Sequence, residues 1–376
     1  MAIASLAARR ETSATHVALI LHRTSSMRRL ILSSCFFLAT CGPAMDVLPE
    51  AEAATAPLRG FCGTPDRPNP EPMLKITALP VGQGDATLIE TPDGSTILID
   101  GGPPGSAATA LRPALQQLGR ETPTMSLATH FDLDHIGGLT ELLLGPDAVP
   151  DTPDDLDPPR GCWDRGGPPP DPLPLLRSYL QTRPHCARTA SAGDTVRFGA
   201  VHITVLAANG HFADGTVVSL HPDDENAHSL ALLVTYRDFR YLTLGDLPGG
   251  GGVPPYQTID LESHLSTLAG DIDVLHVSHH GSRTATSAAL LAATHPEYAI
   301  ISVGASNDFG HPHREVLDRL ATAGVDTRTT INGPVVIRTD GRYHFFFGSE
   351  LPAFDTTQNA VSPRPILCQS AADPTG

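Results

Sequence analysis

The chain has 376 residues, with 25 lysine and arginine residues against 41 aspartate and glutamate residues, and a formal net charge of −16. This balance disfavours a broad basic groove for long nucleic acids, although it leaves room for a local phosphate site built on a metal. Lys75 is the one lysine, and no glycine-rich phosphate-binding loop surrounds it, which excludes P-loop chemistry. The composition, 40% hydrophobic and 18% charged, is typical of a globular protein.

Residues 1–41 have the pattern of an export signal. Two arginines at 28–29 precede the apolar run 30–39, which is too short to cross a bilayer but suits a signal-peptide core. Because the pattern begins so far into the chain, Met27 is a candidate for the true start. The run ends in a sequence resembling a bacterial lipobox, with Cys41 as the lipid anchor. We expect a secreted, periplasmic or membrane-anchored bacterial lipoprotein; ordinary signal cleavage and a buried N-terminal helix are the alternatives.

Four cysteines follow the signal, namely Cys62, Cys162, Cys186 and Cys368. In an oxidising compartment four cysteines suggest two disulfides. We favour Cys62–Cys368 and Cys162–Cys186, while the other pairings and four free thiols stay open.

The chain divides into a linker at 42–73, one folded domain at 74–350 and a C-terminal tail at 351–376. Within the domain, the insertion 145–172 is acidic and rich in proline and glycine. Its aspartates could form a calcium site, but a solvated loop is favoured; they are Asp151, Asp154, Asp155 and Asp157.

Hydrophobic patterning predicts strands and helices along the whole domain. Strands are predicted at 74–79, 87–90, up to Asp100, 126–129, 201–206, 230–236, 241–244, 274–277, 298–303, 335–338 and 344–347. Helices are predicted at 107–118, 287–294 and 314–323. Hairpins followed by alternating strands and helices, in two similar halves, predict two mixed sheets packed together with helices outside.

The stretch from His130 to His135, HFDLDH, places two imidazoles and two carboxylates within six residues. In an extended segment His130, Asp132 and Asp134 would point the same way, and His135 joins them if the chain turns at the glycines 137–138. Such a donor set suits Zn²⁺ or Mn²⁺. A polar loop before a helix, with Asp134 as the N-cap, is the alternative.

Further polar residues end other predicted strands: Asp100, Asp246 and the pair His279-His280. Each by itself is more often a turn or cap residue. Their repeated placement at strand ends, together with the HFDLDH stretch, favours a shared site.

These stretches together resemble the metallo-β-lactamase superfamily, and most closely the hydrolase domain of ComEC-type competence proteins and their exported stand-alone relatives. The resemblance covers roughly residues 74–347, through VGQGDA (81–86), IDGG (99–102), HFDLDHIGG (130–138), LGD (244–246), HHGS (279–282), ISVG (301–304) and GHPH (310–313). It implies an α/β (α+β) fold, an αββα sandwich with one or two divalent metal ions at the edge where these loops meet.

The resemblance also implies roles for individual residues. His130 and Asp132 would hold a first metal, Asp134 and His135 a second, and Asp246 would bridge the two. Asp132 stands where the wider superfamily commonly has histidine, which makes the site more anionic and favours Mn²⁺.

Other positions are assigned with alternatives. His279 is expected to complete the second metal site, with His280 as its rival, and Asp100 to orient the ligands. A further histidine usually completes the first site, but neither His211 nor His228 lies in a convincing motif.

The substrate side is expected to be lined by His280, Ser282, His311 and His313, with Asp134, His280 and His311 catalytic. Asp134 would orient the attacking water or accept its proton, and the histidines would donate to substrate oxygens or protonate the leaving group. A structural loop before a helix is the alternative for His311 and His313.

We therefore expect an exported metal-dependent hydrolase of phosphodiesters, such as DNA or nucleotides. An esterase or lactonase of the same fold is one alternative, and a non-catalytic surface lipoprotein that retains the fold as a binding module is another. Asp132 disfavours a β-lactamase.

Overall fold

The computed structural model describes residues 73–350 except 170, 171, 184, 253, 255 and 256. The predicted signal, most of the linker, the tail and the expected Cys62–Cys368 disulfide lie outside the described residues. None of the helices in the described ranges is long and apolar enough to cross a bilayer.

The first sheet has eight strands, which run antiparallel on one side of β3 and parallel on the other. They are β1 (Leu74–Ala78), β2 (Thr87–Glu90), β3 (Thr96–Ile99), β4 (Met125–Leu127), β5 (Cys162–Asp164), β6 (Ala187–Thr189), β17 (Val335–Thr339) and β18 (His344–Phe347). Their spatial order is β18-β17-β1-β2-β3-β4-β5-β6.

The second sheet has nine strands: β7 (Thr195–Phe198), β8 (Val201–Ala208), β9 (His211–Phe212), β10 (Ala231–Tyr236), β11 (Phe239–Thr243), β14 (Val274–His276), β15 (Tyr298–Ile301), β16 (Asp326–Thr329) and β19 (Ser349–Glu350). Their order is β19-β16-β15-β14-β11-β10-β8-β7, with β9 paired to β8. A separate hairpin joins β12 (Gly249–Gly251) and β13 (Thr258–Asp260).

Within the described residues, six α-helices accompany the sheets: α1 (Arg112–Gln117), α2 (Leu133–Leu143), α3 (Pro174–Thr182), α4 (Glu262–Ala269), α5 (Ala288–Thr294) and α6 (Arg314–Ala323). A π-helical segment, Ala107–Leu111, leads into α1. The helix predicted at 107–118 is therefore present, but its first residues are π-helical rather than α-helical.

Alternating apolar side chains on the strands create three hydrophobic layers. In β3, Ile97 and Ile99 lie in the core shared by the two sheets, whereas Leu98 packs with the residues of α1 and α2. In β10, Leu232 faces the shared core and Leu233 the layer beneath α4, α5 and α6. Because successive side chains on a strand point to opposite faces, a strand apolar on both faces must be covered on both. The predicted αββα sandwich is confirmed.

Two local predictions need correction. The strand expected at 126–129 ends at Leu127, because the backbone N–H of Thr129 donates to Asp100 instead of continuing the ladder. The insertion 145–172 is not loop throughout, since Cys162–Asp164 forms β5. The predicted Cys162–Cys186 disulfide is present and ties β5 to the residue preceding β6.

Candidate metal centre

The polar residues of the motif stretches collect where strands end. β3 and β4 are parallel in the first sheet, and β11, β14 and β15 are parallel in the second. Carboxyl ends of parallel strands lie at the same edge of a sheet, which brings together residues that are far apart in sequence. The residues that follow these five ends include Asp100, His130, Asp246, His280 and Ser302.

The helix α2 begins inside the HFDLDH stretch, at Leu133. Asp132 takes the N-cap position, with φ −70° and ψ 150°, and its side chain makes no cap hydrogen bond. Asp134 and His135 therefore lie in the first helical turn. The expected alternation of one extended segment over 130–134 is wrong, because α2 begins at Leu133, before the glycines at which the chain was expected to turn.

Two glycines let α2 approach the turn that follows β3. The N–H of Gly101 donates to the carbonyl of His135 at 2.7 Å. A Cβ on Gly101 would lie 2.2 Å from the backbone nitrogen of Leu139, and a Cβ on Gly138 would lie 2.2 Å from the carbonyl oxygen of Gly101. Because both contacts are with backbone atoms, neither position has space for a side chain. This close approach places His135 against Asp100.

The buried carboxylate of Asp100 orients two histidines. It accepts from the backbone N–H and from the hydroxyl of Thr129, both at 2.7 Å, and its Oδ2 lies 2.9 Å from Nδ1 of His135. Facing a carboxylate, Nδ1 of His135 is the donor. Because the Thr129 hydroxyl donates its hydrogen bond to Asp100, its oxygen accepts one from Nδ1 of His130 at 3.1 Å. Both rings consequently turn Nε2 towards the site.

His280 reaches the same orientation through another partner. Its Nδ1 lies 3.0 Å from the carbonyl oxygen of Ser302, which can only accept, so Nδ1 carries the proton. Its Nε2 lies 3.2 Å from Oδ2 of Asp134 and 3.6 Å from Oδ2 of Asp246. His279 is more exposed and reaches Asp246 at 3.6 Å. The structure thus pairs His280 with Asp134, whereas the sequence favoured His279.

Imidazole and carboxylate atoms converge on a common space that suits a cation. Nε2 of His130, His135 and His280 and Oδ1 of Asp246 are buried, without a well-aligned hydrogen-bond partner in the described part of the chain. Ligand atoms of His130, His135 and Asp246 lie within 4.8 Å of one another, as do those of Asp134, His135 and His280. Unpaired buried polar atoms cost about 1–3 kcal/mol each, and a bound divalent ion would remove that cost. The donors fit Zn²⁺ or Mn²⁺.

The pKa values of the clustered histidines and of Asp246 shift in opposite directions, and both shifts favour the charged form. Burial alone would lower the pKa of His135 and of His280, but the carboxylates around them, Asp246 foremost, raise both pKa values well above the usual range. Burial alone would raise the pKa of Asp246, and the surrounding histidines hold it well below its usual range. These shifts favour charged imidazoles paired with charged carboxylates, so binding of a divalent cation would release protons from the imidazoles.

Asp85 is a site residue to which the sequence gave no role. It is buried, and its Oδ1 lies 3.5 Å from Nε2 of His276 and 3.6 Å from Nδ1 of His280. Burial would raise the pKa of Asp85, but these two histidines hold it well below its usual range. The signal was present in VGQGDA, where an aspartate sits between glycines and a strand.

The remaining predicted residues lie around the cluster. Asp132 is 46% exposed and reaches Nε2 of His130 at 3.6 Å. The hydroxyl of Ser282 is buried and lies 3.0 Å from that of Thr284. Neither contact assigns a chemical role to Asp132 or to Ser282.

His311 and His313 lie beside the two neighbouring histidines. The ring centroid of His311 is 5.5 Å from that of His279 and 6.4 Å from that of His280. Burial, together with nearby histidines, lowers the pKa of His311 to about 3, so the ring is neutral at pH 7 in the metal-free protein. His313 takes the N-cap position of α6, and its Nδ1 accepts the N–H of Arg283 at 3.1 Å.

Neither candidate for the additional first-site ligand joins the cluster. Nδ1 of His228 lies 3.2 Å from the amide oxygen of Asn209, and its Nε2 lies 3.3 Å from the carbonyl of His221. His211 is exposed on β9. The groups of metal-ligating atoms in the described residues contain neither histidine.

A partly buried ion pair fixes the backbone between His130 and Asp132. Arg165 donates to both carboxylate oxygens of Glu225, at 2.8 and 2.6 Å, and its guanidinium lies 4.3 Å from the ring centroid of Phe131. Glu225 also accepts the N–H of Phe131 at 2.8 Å. Because Arg165 follows β5 and Glu225 precedes β10, this pair links the two sheets at the site.

The buried carboxylate of Glu262 holds the segment after His280. Glu262, the first residue of α4, accepts the N–H groups of Thr286 and Ser287 at 2.5 and 2.6 Å. The hydroxyl of Thr286 accepts the N–H of Ser278 at 3.2 Å, and Arg319 of α6 donates to the carbonyl of Thr286 at 2.8 Å. Hydrogen bonds with α4 and α6 thus hold the turn that carries His280.

The family comparison agrees with this geometry. A family model described as the metallo-beta-lactamase superfamily matches residues 79–305. That range includes Asp85, Asp100, the HFDLDH stretch, Asp246 and His280.

Two curated bacterial relatives are similar over most of the chain. Competence protein ComA of Neisseria gonorrhoeae is 27% identical over 79% of this chain and 37% of its own length. Recombination protein 2 of Haemophilus influenzae is 31% identical over 66% of this chain and 27% of its own length. The chain therefore spans about a third of these relatives. Among solved structures, the metallo-beta-lactamase fold protein YhfI of Bacillus subtilis is 12% identical over 71% of this chain and 99% of its own, with a TM-score of 0.42.

Replacing Thr129 with valine tests the orientation of the histidines. The variant Thr129→Val removes a donor to Asp100 and the acceptor for His130 while keeping the side-chain shape. We expect zinc affinity, measured by competition with a chelator at fixed pH, to fall about 10- to 100-fold. Thr140→Val is the control, because the Thr140 hydroxyl is equally buried but donates to the carbonyl of Ile136 within α2. Unchanged affinity in Thr129→Val would contradict the assigned tautomers.

Glu262→Gln tests the burial of that carboxylate through pH. Burial raises the pKa of Glu262 to about 7, above its value in an unfolded chain. As the pH rises between these values, the unfolded chain releases a proton that the folded protein keeps, so the wild type loses stability. Its free energy of unfolding in urea, without metal, should fall by about 2–3 kcal/mol relative to Glu262→Gln from pH 5 to pH 8.

Glu141→Gln provides the control for this comparison, because Glu141 also accepts a backbone N–H, that of Gly105 at 2.8 Å, but at the surface. A difference between wild type and Glu262→Gln that is the same at both pH values would show that the carboxylate is not buried as described.

Proposed function

Because this chain belongs to the metallo-beta-lactamase superfamily, we propose that it is a metal-dependent hydrolase that acts on phosphodiesters. The observation that carries the proposal is the convergence of three imidazole Nε2 atoms on the carboxylates of Asp134 and Asp246. The choice of phosphodiesters is supported by the carboxylate-rich donor set and by the similarity to proteins named for competence and recombination.

The described residues would hold the ions in two overlapping groups. His130, His135 and Asp246 would bind one ion, and Asp134, His135 and His280 are grouped for a neighbouring position. When bound, divalent ions supply a nucleophilic hydroxide near neutral pH and polarise the scissile ester. His135 is common to the two groups.

Other roles in the proposed reaction fall to residues of the chain itself, namely proton transfer, orientation of the imidazoles and hydrogen bonding. Asp134 is partly exposed and adjoins His280, so it is placed to accept a proton from the attacking water. Asp100, Thr129 and the carbonyl of Ser302 keep the imidazoles in the tautomer that binds a cation. His311, neutral at pH 7 in the metal-free protein, is suited to hydrogen bonding rather than to donating a proton from a charged ring.

Export belongs to the same proposal. A hydrolase whose catalytic domain contains the Cys162–Cys186 disulfide suits an oxidising compartment. Delivery by the segment 1–41, with Cys41 as a lipid anchor, stays a prediction from sequence.

Hydrolysis of bis(4-nitrophenyl) phosphate by zinc- or manganese-loaded protein tests the activity. Asp134→Ala should lower turnover at least about 100-fold, because it removes the proposed proton acceptor. Asp223→Ala, at a side chain 89% exposed, is the control and should retain turnover. Full activity in a folded Asp134→Ala variant would place the chemistry elsewhere. Cleavage of a lactone or a cephalosporin in preference to every phosphodiester offered would overturn the choice of substrate.

A further inference from the structure

An exposed aromatic side chain stands at the border of the metal centre. Phe309 is 64% exposed, in the loop that connects β15 to α6. Exposure of a large apolar ring to water is unfavourable by about 25 cal/mol for each Å² of surface. The fold leaves this ring uncovered beside the residues proposed to do chemistry.

The loop around Phe309 is held by directed hydrogen bonds. The side-chain amide of Asn307 donates to the carbonyls of Gly304 and His311 at 3.0 and 2.8 Å, and its oxygen accepts the N–H of His311 at 2.9 Å. This amide closes the loop into a turn with Phe309 near its tip. The position of the ring is therefore set by the loop and does not depend on a covering partner.

One face of Phe309 continues a row of rings that leads to the metal ligands. Phe309 stacks on His311 with centroids 5.6 Å apart and planes inclined by 23°. His311 meets His279 edge-on at 5.5 Å, and Nε2 of His279 lies 3.6 Å from Asp246. This row of rings therefore extends from the carboxylate of Asp246 to the exposed ring of Phe309.

We propose that Phe309 is a stacking seat for a nucleobase of the phosphodiester substrate, an inference that rests on the proposed function. Stacking needs only a planar π-face, so it suits substrates of varied sequence. The chain carries 41 acidic residues against 25 basic ones, so its basic residues are outnumbered and give little net attraction for a nucleic-acid backbone. An uncharged stacking contact contributes binding that does not require them.

Two diesters that differ only in the nucleobase-bearing group test this seat. Thymidine 5′-(4-nitrophenyl phosphate) and methyl 4-nitrophenyl phosphate release the same chromophore, and only the first carries a base. Phe309→Ala should raise KM for the thymidine diester about tenfold, given the usual strength of base stacking. It should leave KM for the methyl diester and kcat for both substrates unchanged. Phe309→Tyr keeps an aromatic ring and should therefore have the wild-type KM for the thymidine diester.

Phe347→Ala is the matched control, because Phe347 is 52% exposed but lies on β18, outside the metal centre. An equal effect of Phe309→Ala on both diesters, or no effect on either, would overturn the stacking seat. If wild-type protein hydrolyses neither diester, the proposed function fails, and the seat is judged by binding of thymidine 5′-monophosphate to zinc-loaded protein. Phe309→Ala should then weaken binding about tenfold; equal binding, or none by the wild type, would refute the seat.

Discussion

The metal centre depends on the hydrogen bonds that the buried carboxylate of Asp100 accepts. It receives two hydrogen bonds from Thr129 and one from His135, so a single buried group fixes the end of β4 and the first turn of α2. Through the Thr129 hydroxyl it also determines which nitrogen of His130 faces the site. Burial makes this arrangement specific, since each polar atom left unpaired there costs about 1–3 kcal/mol.

The second sheet completes the site by the same physical means. The carbonyl of Ser302 sets the tautomer of His280, and Glu262 fastens the following turn to α4. Arg165 and Glu225 join the sheets beside Phe131. The proposed ligands are therefore held by backbone and side-chain contacts from both sheets, of the kind that orient metal-binding imidazoles.

Much of the fold and the ligand chemistry could be predicted, because strand periodicity and the HFDLDH composition are local signals. The start of α2 could not, since Asp132 suits both an extended segment and an N-cap. The sequence did not show which of His279 and His280 pairs with Asp134. Both residues have φ near 52°, so their side chains do not follow the alternation of a strand. Glu262 was missed because its role depends on contacts 24 and 25 residues away.

Long-range proton–nitrogen NMR of the histidine rings in zinc-loaded protein distinguishes the two ring nitrogens and so reports how each imidazole is oriented in the metal centre. We expect that His130, His135 and His280 each carry their proton on Nδ1 and that Nε2 shows the shift of a metal-bound nitrogen. A proton on Nε2 of any of these three rings, or zinc bound through Nδ1, would contradict the orientation assigned to Asp100, Thr129 and Ser302.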